Sequence, residues 1–486
     1  MFAKPTRAQL GNRDISRLVC GLWQVADMEK HGTTLDADRA ADSLQAYVEA
    51  GFDTFDMADH YGSAELIAAA LLKRYTKAGK RPMVFTKWVP EPGPMTAETV
   101  RAGVQERLLR LGVEQVDLLQ FHWWSFEHPA WLDALHELKR LKDEGLIGAL
   151  GVTNFDAAHL ALAVADGIPI VSNQVSFSLV DRRAAGELSD VCKLQGVKLL
   201  AYGTLCGGFL SERWLGQPEP TAISDWSQSK YKRFIDAIGG WSVYQAILSA
   251  AAAIAQRHNV SISNVASRWV LDHPAVAAII IGIRPGEREH RADNVRIFDF
   301  ALDARDHALL EGAFLEAKAI PGDCGDEYRK PPFLTASGDL SHHLNEMPKA
   351  FVAAVNPATG RLRVSSGSRW EPIAGYSRAV RVKNVIHVSG TTATHGANRS
   401  VAPGDAGAQT TYILDKIAAA IAALGGRLED VYRTRIYVRD TASCEAVSRA
   451  HGRVFGEIRP ANTLIQAGAL VGDFEVEIEA EALVPD

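Results

Sequence analysis

Four residues stand out by type and spacing: Asp56, Tyr61, Lys87 and His122. Tyrosine can hand a proton to a developing alkoxide, but with an ordinary pKa of about 10 it needs help to do so near neutrality. A lysine ammonium nearby favours the phenolate, and an aspartate paired with that lysine fixes its position. An imidazole can orient the oxygen that receives the proton. The set suits a carbonyl that takes a hydride at carbon and a proton at oxygen. Taken singly, each residue has a plainer explanation: Asp56 and Tyr61 as loop caps, Lys87 as a solvated strand end, His122 as a satisfied imidazole beside Trp123 and Trp124.

Position is what links them. From Leu18 to about Ala317, short β-branched runs alternate with longer amphipathic segments, the pattern of a parallel sheet with helical crossovers. Strands are predicted at Leu18–Gly21, Thr54–Asp56, Met83–Lys87, Val116–Phe121, Ile147–Thr153, Ile170–Gln174, Lys198–Tyr202 and Ala278–Gly282. Between them, Val100, Val104, Leu108 and Leu111 form one apolar helical stripe opposite Arg101, Glu106 and Arg110. Eight such units in this length predict a (β/α)8 TIM barrel, and the first turn lacks the GxGxxG of a dinucleotide-binding doubly wound sheet. Asp56, Lys87 and His122 fall at the C-terminal ends of strands two, three and four, with Tyr61 in the loop after strand two. In a barrel those ends converge on one mouth.

Periodicity fails between about Phe314 and Ala350, where Pro321-Gly322-Asp323-Cys324-Gly325-Asp326, Pro331-Pro332 and Ser337-Gly338-Asp339 accumulate turn formers. Beyond it the pattern becomes hairpin-like strands (Arg361–Ser365, Ser377–Val382, Val385–Ser389), a helix over Ala408–Leu424 and a strand at Tyr432–Val438. A helix over Glu445–Phe455 and closing strands at Thr463–Ala467 and Phe474–Leu483 follow. The division predicted is a barrel over 1–318, a linker or strap over 319–350, and a smaller α+β domain over 351–486.

Composition narrows the partners. The 486 residues are 47% hydrophobic and 23% charged, which fits folded domains rather than a disordered chain. With 52 basic against 58 acidic residues the net charge is −6, so nucleic acid and anionic membranes are not expected as partners. No apolar run reaches membrane-spanning length and the start lacks a signal-peptide core. Five cysteines without CxxC spacing suggest reduced thiols and a cytoplasmic location. The His342-His343 pair and Cys324 are the only hint of a metal, and adjacent histidines diverge in a strand, so no metal is expected.

The run Gly51-Phe52-Asp53-Thr54-Phe55-Asp56-Met57-Ala58-Asp59-His60-Tyr61-Gly62-Ser63-Ala64-Glu65 resembles the aldo-keto reductase signature, with Asp56 five residues before Tyr61 where Asp53 fails that spacing. The resemblance continues through Phe85-Thr86-Lys87, Asp117 to His122, Gly151 to Phe155, Asn173-Gln174-Val175 and Ala201 to Leu205, covering roughly residues 10 to 315. It implies an NADP-dependent oxidoreductase acting on a small aldehyde or ketone, or on the corresponding alcohol, with NAD the less expected cofactor. It also implies that Thr153, Asn154 and Gln174 hold the nicotinamide carboxamide and that Tyr202 stacks on the ring. Arg284 or Arg288 would meet the 2′-phosphate, with a helix N-terminus beside them, and Asn294 the adenine. Met57 stands where the family usually has threonine. Trp23 and Trp88 are expected to line an aromatic substrate pocket, and Ser211 to Trp241 to form a covering loop.

The second domain is similar to the reactive intermediate deaminase (Rid, YjgF-like) family, with its chorismate-mutase-like α+β fold. The likeness rests on Gly375-Tyr376-Ser377-Arg378-Ala379-Val380, Val388 to Thr391, Asp430 to Val438, Arg459 to Thr463 and Glu477-Ile478-Glu479. It implies a homotrimer, or a multiple of three, with clefts between subunits to which Tyr376, Asn462 and Glu477 contribute. Asn462 replaces the family's carboxylate-binding arginine, and an amide cannot form the bidentate pair of a guanidinium. Assembly or ligand binding is thus expected of this domain. Two alternatives are a bifunctional reductase and imine or enamine deaminase, and an NADPH-binding regulatory or redox-sensing module.

Overall fold

In a computed structural model, residues 4–75, 81–330, 332, 334 and 348–485 are described. The His342-His343 pair lies outside them. Eight parallel strands close into a barrel: β1 (Leu18–Gly21), β2 (Thr54–Asp56), β3 (Met83–Trp88), β4 (Val116–His122), β5 (Ile147–Thr153), β6 (Ile170–Ser176), β7 (Lys198–Tyr202) and β8 (Val276–Gly282). β8 pairs back onto β1 with Gly282 opposite Gly21. Several strands run one or two residues further than their apolar runs, because lateral pairing sets the end: Trp88 pairs with Phe121 and His122 with Thr153.

One element was not expected. Residues Arg7–Leu10 and Arg13–Ser16 form a hairpin whose Leu10 and Ile15 are buried with Val19, Phe85, Leu118 and Leu200. Strands of four residues show too little alternation to be read from pattern alone. Arg7 of this hairpin bonds Asp53 at 2.8 Å, which gives that carboxylate a structural role.

Five helices position the site. They are α1 (Trp23–Glu29), α2 (Ala97–Leu111), α3 (Ala157–Ala165), α4 (Trp226–Ala237) and the single turn α5 (Asp326–Arg329). α2 begins at Thr96, whose hydroxyl accepts from the Thr99 amide, and stops at Gly112, which adopts a left-handed φ of 64°. Its buried side includes Val100, Val104 and Leu111, as the stripe requires. No single helix among the described residues is long and apolar enough to cross a membrane.

The second domain is a seven-stranded sheet with two helices packed on one face. Its strands are β9 (Ala353–Val355), β10 (Leu362–Val364), β11 (Ala379–Val382), β12 (Val385–Thr392), β13 (Val431–Val438), β14 (Ala461–Gln466) and β15 (Val476–Leu483), in the order 9-10-11-12-15-13-14. Only β13 and β14 are parallel neighbours. The helices are α6 (Ala406–Ala423) and α7 (Cys444–Phe455), and α6 is buried over most of its circumference.

Charge explains part of that burial. α6 packs on α3 of the barrel, and Asp415 accepts from His159 Nε2 at 2.9 Å. The other ring nitrogen of His159 meets Asp156, the N-cap of α3, at 2.7 Å, and Arg453 of α7 reaches the same carboxylate at 3.3 Å. Arg399 bonds Asp166 at 2.8 Å and His395 bonds Asp133 at 2.6 Å. Burial works against the charge on His159, but the carboxylates of Asp156 and Asp415 outweigh it and raise its pKa.

A raised imidazole binds its proton more tightly in the folded state. Its contribution is therefore fully present below the ordinary histidine pKa and is lost as pH rises through the folded value. Asp415→Asn should cost about 1–2 kcal/mol, seen as a lower thermal midpoint near pH 6. The same substitution should cost much less at strongly alkaline pH, which calorimetry at both pH values checks.

Candidate active site

The barrel mouth brings the four sequence-predicted residues together. Asp56 at the end of β2 and Lys87 near the end of β3 form an ion pair at 2.6 Å, and both are almost fully buried. Lys87 also donates to the Met57 carbonyl at 3.0 Å. The second Asp56 oxygen accepts from Gln120 at 2.9 Å and from Gln174 at 2.7 Å, so the carboxylate is held from three strands. The Lys87 ammonium lies 4.9 Å from the centre of the Tyr61 ring, and Trp23 packs edge-on against that ring at 4.9 Å. Tyr61, Lys87 and His122 line one cavity of about 690 Å³ that continues past Tyr202 to Arg288 and Asn294.

Burial pushes the Tyr61 phenol well above its ordinary value, and the Asp56 carboxylate adds to the effect. The lowering expected from Lys87 does not dominate. This suits a proton donor, which has to be protonated at working pH. Burial lowers Lys87, with Asp56 opposing. His122 is pushed down to about 3 by burial and by the Arg329 guanidinium, so the ring is neutral. Its Nδ1 lies 3.4 Å from the Thr153 carbonyl, which can only accept. In that tautomer Nε2 carries a lone pair, suited to an alcohol hydroxyl; holding a carbonyl oxygen requires the proton on Nε2, at the cost of one long hydrogen bond.

The residues assigned to the carboxamide share the same wall. Asn154 adopts a left-handed φ of 58°, uncommon for a side-chain-bearing residue, and its Oδ1 accepts from the Tyr202 hydroxyl at 2.9 Å. Its amide donates to the Gln174 carbonyl at 2.9 Å. The Thr153 hydroxyl and Gln24 Oε1 are buried with no hydrogen-bond partner among the described residues, and both residues line the cavity. Orphaned polar atoms of this kind fit a ligand rich in donors and acceptors, as a nicotinamide dinucleotide is. Arg284 is engaged by Asp27 at 2.6 Å and Asp225 at 3.5 Å, whereas exposed Arg288 forms no ion pair among the described residues. The helix beside them, Arg291–Asn294, is a single turn and supplies no extended dipole.

Trp88 does not line the cavity. Its ring packs against Phe121 at 5.8 Å and over Gly103 of α2, because Lys87 points inward and side chains alternate along a strand. The aromatic wall beside Trp23 is instead Trp124, edge-on to His122 at 4.7 Å. Sequence reading also missed Gln120, Lys230 and Tyr328. Gln120 was findable, since it lies two residues before His122 and so faces the same way; Lys230 and Tyr328 arrive from α4 and α5, which no local pattern ties to the mouth.

In the second domain the three cleft candidates do not converge within one chain. Asn462 pairs in register with Thr434 and bonds its hydroxyl at 2.9 Å, and that hydroxyl reaches His451 of α7 at 3.0 Å, placing Asn462 on the helix side of the sheet. Glu477 pairs with Tyr437, three residues along β13 from Thr434, and so projects from the opposite face. Burial raises the Glu477 carboxyl, with Arg378 opposing. The Tyr376 hydroxyl lies 3.2 Å from an Arg378 nitrogen, but this guanidinium also bonds the Gly390 carbonyl at 2.6 Å and the Thr391 hydroxyl at 2.9 Å.

Residues 17–314 match the Aldo/keto reductase family model, and residues 366–484 match the model described as Endoribonuclease L-PSP. The chain belongs to the aldo/keto reductase family and carries a Rid/YjgF-type domain behind the barrel. It is 28% identical over 289 residues to the glyoxal reductase of Bacillus subtilis, covering 59% of this chain and 87% of that protein. It is 34% identical over 179 residues to flagellar radial spoke protein 5 of Chlamydomonas reinhardtii, 33% of this chain and only 34% of that protein's length. The second domain is similar to the crystal structure of Rv2704 from Mycobacterium tuberculosis, a member of the YjgF/YER057c/UK114 family. That match has 42% identity, covers 26% of this chain and 99% of that one, and has a TM-score of 0.23. Fold and family together define an aldehyde or ketone oxidoreductase.

Tyr61→Phe removes the phenolic proton and little else, so carbonyl reduction should fall about 100-fold or more while NADPH affinity, read by fluorescence, stays near that of the unmodified protein. Because the phenol titrates high, the wild-type reduction rate should hold level through neutrality and fall only at alkaline pH.

Proposed function

We propose that the chain is an NADP-dependent reductase of aldehydes or ketones, working reversibly on the matching alcohols. One observation carries this reading: the buried Asp56–Lys87 pair at 2.6 Å beneath a protonated Tyr61, in the cavity that also holds the orphaned Thr153 hydroxyl. A bound nicotinamide would supply or accept the hydride at the carbonyl carbon. Tyr61 gives its proton to the oxygen, Lys87 stabilises the phenolate left behind, and Asp56 holds Lys87 in place. His122 orients the oxygen, and Trp23 and Trp124 exclude water from it. Thr153, Asn154 and Gln174 hold the carboxamide, Tyr202 supports the ring, and Arg288 and Asn294 meet the far end. NADPH consumption with a panel of aldehydes tests the reading, and no consumption with any of them would overturn it.

The preference for NADPH rests on Arg288, which lines that part of the cavity and forms no ion pair among the described residues. Arg288→Ala should raise the dissociation constant of NADPH at least tenfold more than that of NADH. An equal effect on both would place the phosphate elsewhere, with Arg284 the next candidate once Asp27 is removed.

The second domain serves assembly in this reading. Its sheet turns an open face outward, with Tyr432, Ile465 and Leu483 each more than two fifths exposed and β14 exposed along most of its length. Unpaired apolar surface on a sheet edge is covered most readily by another copy. Light scattering on the intact chain should give three times the 52.7 kDa of one chain, and a monomer would refute the assignment. Asn462, an amide at the position of the carboxylate-binding arginine, supports assembly over deaminase chemistry.

A further inference from the structure

One ammonium in the cavity keeps donors that no side chain among the described residues takes up. Lys230 of α4 makes a single hydrogen bond among the described residues, 3.0 Å to the Tyr328 hydroxyl, and no carboxylate lies at ion-pair distance from it. Its Nζ is surrounded by rings, with the centres of Tyr202, Tyr328, Tyr231 and Phe234 at 4.9, 5.0, 5.5 and 5.9 Å. An ammonium has three donors, so two remain for a ligand. One oxygen of Glu327 accepts from Arg183 and from the Gly325 amide, each at 2.8 Å, while the other faces the Tyr202 hydroxyl at 3.5 Å and feels the Lys230 charge.

Tyr328 is held firmly where it stands. Arg329 donates to the carbonyls of Asn154 and Trp123, both at 2.8 Å, so α5 is tied to the loops that follow β5 and β4. Gly325 adopts a φ of 91°, and any side chain there would collide with the Asn154 carbonyl. This turn of the interdomain segment is therefore built for close approach to the mouth. The Tyr328 ring lies 5.7 Å from the His122 ring and 5.0 Å from Lys230 Nζ, which places the ammonium within about 11 Å of the imidazole. A carbonyl and a carboxylate separated by two or three carbons, each with its own hydrogen bond, fit within that limit.

We propose that Lys230 and Tyr328 form a subsite for the carboxylate of an acid-bearing carbonyl substrate, so that short ω-oxo acids are preferred over neutral aldehydes. The inference rests on the reading of the barrel as a carbonyl reductase. Lys230 supplies the charge and Tyr328 positions it; the apolar rings around the ammonium penalise a doubly charged phosphate more than a single carboxylate. Trp23 and Trp124 flank the apolar carbons between the two polar ends.

The test compares 4-oxobutanoate with butanal, using the intact chain and NADPH. Wild-type kcat/KM should favour the acid at least tenfold. Lys230→Met should lower that ratio at least tenfold, Lys230→Arg should keep most of it, and Tyr328→Phe should act chiefly through KM for the acid. Calorimetric binding of 4-hydroxybutanoate to the protein gives a readout without turnover, and its dissociation constant should rise at least tenfold in Lys230→Met. An unchanged acid-to-neutral ratio in that variant overturns the subsite. So does a weakened NADPH affinity with the ratio intact, which would make Lys230 a ligand of the cofactor phosphates. If neither aldehyde is reduced while 4-hydroxybutanoate still binds through Lys230, the reductase reading fails and the subsite stands.

Discussion

The ion pair between Asp56 and Lys87 is the constraint on which the site depends. Two charges taken out of water cost several kcal/mol each unless geometry and further hydrogen bonds repay them. Here the carboxylate is met by the ammonium, by Gln120 and by Gln174, and the ammonium by the Met57 carbonyl as well. Those partners come from strands β2, β3, β4 and β6, which only a closed barrel can aim at one point. Removing one of them would leave a buried charge short of a partner, so the pair ties the chemistry to the closure of the sheet.

The same carboxylate links Lys87 to the cavity wall that carries Gln174, Asn154 and Tyr202. Gln174 donates to Asp56 while its backbone carbonyl accepts from Asn154, whose side chain receives the Tyr202 hydroxyl. Lys87, Asp56, Gln174, Asn154 and Tyr202 are thus one hydrogen-bonded network rather than neighbouring sites, with the Tyr61 ring packed beside the Lys87 ammonium. A shift in any member is felt at the others through short, buried bonds.

The two domains are joined by more than chain connectivity. Asp156 caps α3 immediately after the segment carrying Thr153 and Asn154, and it is gripped by His159 and by Arg453 of the second domain. Arg453 also reaches Asp323, at 3.7 Å, at the root of the turn that delivers Tyr328. The second domain therefore braces both the cavity wall carrying Thr153 and Asn154 and the interdomain segment. A barrel without it would expose this cluster of buried charges to water.

Much of this was legible in the sequence, for a physical reason. Strand alternation and helical stripes are local, and a parallel barrel converts strand ends into a shared mouth, so Asp56, Lys87 and His122 could be assigned to one place before any coordinates. The same alternation, applied one residue further, rules Trp88 out of the pocket and Gln120 into it. Other features depend on contacts between distant segments and leave no local trace. The high Tyr61 phenol comes from burial that the closed mouth creates, Lys230 and Tyr328 meet across 98 residues, and Asn462 and Glu477 are parted by sheet register. Residue type and spacing determined the chemistry this protein can perform; tertiary packing alone decided which side chains are buried, paired or left facing the cavity, because desolvation and register are properties of the assembled fold.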